Sequence, residues 1–128
     1  MIKRPKFQLH LFLLGSILFI TSCTKSDLVD GPAVDVRVKN TSAFDFDEVK
    51  IWDQDLGSLK KNEVSPYFSK EPAFDLASIY VMIDSFQFGQ TVIDYVGEKP
   101  LKKGKYTFEV NVTELSNAGR LSQILVKD

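Results

Sequence analysis

Val34-Asp35-Val36-Arg37-Val38-Lys39 alternates three valines with three charged residues. Successive side chains of a strand point to opposite faces, so the valines share a dry face and the charges a wet one. A helix would scatter the same residues around its axis. Tyr106-Thr107-Phe108-Glu109-Val110-Asn111-Val112-Thr113 repeats the pattern near the other end of the chain. These two half-buried strands set the class of the domain, and the intervening sequence fits the same period.

Asn40-Thr41-Ser42 follows the first strand with turn chemistry. Phe44 and Phe46 then place apolar residues on even positions, whereas Val49 and Ile51 place them on odd ones. A strand changes its inward parity only through a bulge or bend, which is expected near Asp47 and Glu48, with a strand over about Glu48 to Asp53. Gly57 to Lys60 reads as a short strand and Lys61-Asn62 as a turn. Val64 to Ser69 reads as an edge segment, because Pro66 lacks the donor that a central strand needs. Ser78 to Asp84 is apolar on both faces, which suits a central strand, and Asp84-Ser85 turns it into a strand over Phe86 to Val96. A lysine-rich loop spans Gly97 to Gly104, and Leu121 to Lys127 closes the fold. No segment keeps the helical spacing i, i+3, i+4, i+7 over three turns. The expectation is an all-β, immunoglobulin-like β-sandwich of about seven or eight antiparallel strands. Leu101-Lys102-Lys103-Gly104-Lys105-Tyr106 looks like a tyrosine corner, whose phenol bonds to a backbone group a few residues upstream; the alternative is that Tyr106 is an ordinary strand aromatic.

The first 23 residues have another character. Lys3, Arg4 and Lys6 precede an apolar run from Leu9 to Ile20, too short for a spanning helix and laid out as a secretory signal. Ile20-Thr21-Ser22-Cys23 resembles the lipobox of bacterial lipoproteins. That resemblance implies cleavage before Cys23, acylation of its thiol and new amino terminus, and life outside the cytoplasm on a membrane. The chain then divides into a signal peptide (1–22), a lipidated cysteine with a flexible tether (23–32) and a β-sandwich (33–128). Residues Thr24 to Pro32 reach at most about 30 Å.

Composition narrows the chemistry. The single cysteine is Cys23 and the single histidine is His10, so the mature chain of 106 residues has neither for chemistry. That excludes a disulfide, a Ser-His-Asp or Cys-His nucleophile and any imidazole or thiolate metal site. Removing Lys3, Arg4 and Lys6 leaves 13 basic against 17 acidic residues, a net of −4. Nucleic-acid binders carry a basic face instead, so no nucleic-acid partner is expected. One domain fits the length.

The lipobox, Val36-Arg37-Val38-Lys39-Asn40-Thr41-Ser42, Gly57-Ser58-Leu59-Lys60, Ile93-Asp94-Tyr95-Val96-Gly97-Glu98, Pro100-Leu101-Lys102 and Gly104-Lys105-Tyr106 together resemble small, uncharacterised lipoproteins typical of Bacteroidota. The likeness implies a fold and an address, and transfers no activity. Thr24, rather than an aspartate, follows the lipobox cysteine, which by the same resemblance implies the outer membrane with its face left open.

Several constellations carry two readings each. Asp45, Asp47, Glu48, Asp53 and Asp55 are either solvated turn residues or the start of a calcium loop, although the distal ligands of an EF-hand loop are missing. Lys99, Lys102, Lys103 and Lys105 are either solubilising charges or a contact for lipid headgroups or anionic glycans. Phe86 and Phe88 are either a contact at a hairpin tip or core residues around Gln87. Trp52 is either a sugar-stacking platform or a packing residue near Tyr67 or Phe68, on the face opposite Val49 and Ile51. Asp94, Glu98 and Glu109 are the remaining candidates for a catalytic carboxylate pair. A sandwich of this size without long loops offers little room for a cleft, so no enzyme and no cofactor are expected. The sequence thus points to a membrane-anchored envelope lipoprotein acting as an interaction module of an outer-membrane assembly. The alternative is a binder of glycans or small ligands.

Overall fold

The computed structural model describes residues 31–95 and 97–128. Eight strands run in the order β1 (Val34–Asn40), β2 (Phe46–Ile51), β3 (Gln54–Leu59), β4 (Phe68–Lys70), β5 (Ile79–Ile83), β6 (Phe86–Gln90), β7 (Lys105–Val112) and β8 (Leu121–Lys127). They form two four-stranded sheets, β4-β1-β7-β8 and β3-β2-β5-β6. The described residues contain no helix. The domain is a β-sandwich, with its core built from the alternating residues of both sheets.

The two amphipathic strands are direct neighbours. Val36 lies opposite Tyr106 and Val38 opposite Phe108, in parallel register, while every other ladder among the described strands is antiparallel. The parallel pair departs from the all-antiparallel expectation. Parallel strands need a long crossover, and here the whole β2–β6 segment supplies it. Val34, Val36, Val38, Phe108, Val110 and Val112 meet Phe46, Val49, Ile51, Val81 and Ile83 in one buried cluster.

The parity change falls where the alternation requires it. In β2, Phe46, Val49 and Ile51 are buried, and the register against β3 shifts between Phe46 and Val49 and again between Val49 and Lys50. β5 sits between β2 and β6, with Ile79, Val81 and Ile83 buried and Tyr80 and Met82 half-buried. The segment around Pro66 is an interrupted edge: Val64 bridges Lys39, Ser65 N donates to Val38 O, and pairing resumes only at Phe68–Lys70.

The strand expected over Phe86 to Val96 ends at Gln90. Beyond it, Val92 N donates to the Ser78 hydroxyl instead of to a ladder partner, and Tyr95 stacks on Phe74 at 4.5 Å. A side-chain acceptor has replaced the backbone one, so the chain leaves the sheet. Val96 itself lies outside the described residues.

Candidate functional site

One end of the sandwich, called here the lower end, collects most of the residues of interest. The starts of β1 and β7 and the end of β8 lie there, because Asp35 is opposite Lys105 and Tyr106 opposite Lys127. The β2–β3 turn belongs to the same end, since Trp52 packs edge-on against Phe108 at 5.6 Å and Phe68 at 6.4 Å.

Residues 91–95 and 97–104, between β6 and β7, form a loop at this end. Leu101 N donates to Ala73 O, and the Tyr106 hydroxyl donates to Lys102 O at 2.6 Å. The second bond is the tyrosine corner, reaching back four residues from a phenol that is itself buried. Lys99, Lys102 and Lys103 are exposed on the loop. Lys99 and Lys102 join Lys127, Asp75, Glu98 and Pro100 around a shallow cavity of about 550 Å³. Gly31 packs into the base of the same loop: a methyl group added there would lie 2.5 Å from Pro100 Cβ and 3.0 Å from Pro72 Cβ. Gly31, the first described residue, thus lies beside the lysine loop. Cys23, the expected lipidation site, lies outside the described residues.

Each aromatic candidate packs in or against the core. Trp52 has φ 50°, a left-handed conformation that costs a bulky residue about 1–2 kcal/mol. That turn swings the indole onto the buried Phe108 and the half-buried Phe68, so the expected placement opposite Ile51 is corrected, while the contact with Phe68 is present. Its Nε1 donates to the Tyr95 hydroxyl at 3.1 Å, and Lys70 Nζ sits 5.4 Å from the ring centroid. Phe88 is 7% exposed and belongs to the core, with Phe86 half-buried and stacked beside it at 6.4 Å. Gln87 between them is exposed, as strand alternation requires.

The acidic residues near β2 are dispersed over separate tasks. Asp45 accepts from Lys61 N, Asp47 from Asp84 N and Asp55 from Gly57 N, while Glu48 pairs with Lys50 and Asp53 with Lys70. Lys61 and Asp84 sit in turns, and Gly57 sits at the register shift of β3, so these carboxylates hold two turns and an irregular stretch of strand. Among the described residues no three His, Cys, Asp or Glu side chains are grouped to hold a metal. Glu109 lies on the outer face of β7, between Lys39 and Ile124, whereas Glu98 lines the lower-end cavity.

Two features had no signal in the sequence pattern. On the outer face of the β1 sheet, Arg37 lies over the Tyr67 ring at 4.5 Å, and Thr107 accepts from Arg37 and donates to Asp128. The Tyr67 hydroxyl also donates to Asp128. These bonds bring residues 61 and 70 positions apart together, so only topology reveals them. The second feature is the open edge of β8, beside which Ile124 and Val126 are 63% and 39% exposed. Asp128 N donates to Lys105 O and Arg120 O accepts from Thr113 N, so even-numbered residues bond to β7. The main-chain groups of Leu121, Gln123, Leu125 and Lys127 therefore point to the open side.

Compared with protein-family models, curated proteins and solved structures, the chain matches none.

Proposed function

We propose that the chain is an outer-membrane lipoprotein of the small type found in Bacteroidota. In this reading it is acylated at Cys23 and carries a non-catalytic sandwich that binds another envelope protein. The observation that carries the interaction role is the contrast among the four sheet edges. Exposed edges invite pairing and are usually blunted by short length, proline, glycine, bulges or charge. β4 has three residues and lies between Pro66 and Pro72. β3 carries Gly57 at φ 70° and register shifts. β6 has five residues, including Gly89. β8 keeps seven residues in unbroken register, with Ser122-Gln123-Ile124-Leu125-Val126 free of charge, proline and glycine. It is the edge suited to accept an added strand.

A second copy is a poorer occupant than a different protein. Antiparallel pairing of two β8 strands would send both lower ends, and with them both tethers, in opposite directions. With Gly31 packed on the domain, only residues 24–30 span the gap to the lipid, about 25 Å at most. Short tethers to one bilayer oppose that arrangement. The glycan reading has less support, because Trp52 and Phe88 spend their rings on packing.

The test is a photocrosslinking residue at Ile124 in the lipidated protein within intact membranes. A reproducible adduct with one envelope protein, not seen with the crosslinker at Asp84 on the β5–β6 turn, is expected. Recovery of the uncrosslinked monomer alone would overturn the proposal.

A further inference from the structure

The lower end has a composition that anchoring alone does not require. The 91–104 loop carries Ile93, which is 93% exposed, while Val92 and Tyr95 on either side are held by Ser78, Trp52 and Phe74. An isoleucine presented from a braced loop loses favourable burial unless something apolar receives it. Lys99, Lys102 and Lys103 follow on the same loop, and Lys127 joins Lys99 and Lys102 at the cavity. None of these four lysines makes an ion pair among the described residues. Gly97 to Lys105 carries four lysines and one glutamate, although the protein as a whole is slightly acidic.

We propose that this end is a second membrane contact, in which Lys99, Lys102 and Lys127 hold the phosphate of an anionic lipid headgroup in the cavity and Ile93 enters the acyl boundary. The inference rests on the anchoring reading above. The occupant follows from where the chain goes: Gly31 sits against Pro100 of this loop, and seven residues separate it from Cys23. A tether that short holds the loop at high effective concentration beside headgroups, so individually weak lysine contacts suffice. The tyrosine corner supports the arrangement by fixing Lys102 to the start of β7. Docking sets the sandwich upright, with the β8 edge running away from the bilayer and open to a partner.

The experiment uses lipidated protein with Ile93→Cys bearing an environment-sensitive dye; an acylated Cys23 leaves residue 93 as the single reactive thiol. Reconstituted into phosphatidylcholine vesicles containing phosphatidylglycerol, the dye should shift to the blue and be quenched by brominated acyl chains. Pure phosphatidylcholine should leave it in water. Changing Lys99, Lys102 and Lys127 to glutamine should lower the docking equilibrium constant about fivefold per lysine, and high salt should lower it too. A dye that stays in water in both vesicles, or docking indifferent to the lysines, overturns the proposal. So does inorganic phosphate shifting the dye as strongly as the vesicles, which would mark an anion pocket without membrane contact. The mass of the same protein reports acylation separately. Acylated protein with residue 93 in water overturns the docking and leaves anchoring standing, whereas unacylated protein overturns the anchoring and the docking with it.

Discussion

Tyr106 opens the core face of β7 and, through a 2.6 Å bond from its hydroxyl to the Lys102 carbonyl, holds the lysine loop against the sandwich. Fold and candidate site therefore share one hydrogen bond. Tyr106→Phe keeps the buried ring and removes the bond. The expected loss of stability is about 1 kcal/mol, the typical net worth of a neutral hydrogen bond. It should show as a lower urea midpoint with an unchanged slope, accompanied by faster amide exchange confined to the 99–105 backbone.

Asn40 ends β1 fully buried, with every polar atom matched. Its Nδ2 donates to Phe44 O at 2.7 Å and to Leu59 O at 3.0 Å, and its Oδ1 accepts from Ser42 N and Oγ. Asn40→Ala takes the Nδ2 donor from Leu59 O and the Oδ1 acceptor from Ser42 N, and leaves Phe44 O with the Ser42 hydroxyl alone; a lost partner costs a buried group about 1–3 kcal/mol. A loss of about 3 kcal/mol or more by chemical denaturation is expected, well above the cost at Tyr106.

The parts of the fold that could be read in advance obey local rules. Valine alternation marked β1, the parity change at Asp47 and Glu48 marked a bulge, and Pro66 marked a broken edge. Asn40-Thr41-Ser42 was readable as a turn, yet its role as a buried bridge to Leu59 depends on a residue 19 positions away. The end of β6 was missed because Ser78, in another part of the chain, captures Val92 N. Trp52 was misplaced because its left-handed φ is a property of the β2–β3 turn and reverses the side chain's direction. The lysines of the loop were visible as charges. Their company with Gly31 and Lys127 was not, since it needs three separated segments at one end of the sandwich.

The Tyr67–Asp128 pair gives the domain a defined pH response. The hydrogen bond from Tyr67 holds the Asp128 carboxyl below its ordinary 3.8, against a smaller opposing effect of desolvation, with further help from Thr107, Arg37 and Lys105. The same bond raises the Tyr67 phenol above its ordinary 10.0. A depressed carboxyl stabilises the fold above its unfolded pKa, and that contribution disappears as pH falls through the folded value. A raised phenol stabilises below its unfolded pKa and loses the contribution as pH rises through the folded value. Tyr67→Phe should therefore be less stable than the parent at neutral pH, with the gap closing below about 3.8 and above about 10. Urea midpoints of both proteins across pH measure it. A gap constant at all pH would reduce Tyr67 to a packing role.

Anchoring through Cys23 is the premise that orients the domain, its loop and its open edge. The direct measurement is fractionation of cells carrying the parent or Cys23→Ala, with a high-salt wash to strip contacts made only by the lysine loop, and the mass of the recovered chains. The account predicts parent protein in the membrane fraction, beginning at Cys23 and heavier by its acyl chains, and the variant released as soluble, folded domain. A parent chain without acyl mass, or a variant that stays with the membrane after the wash, would contradict it.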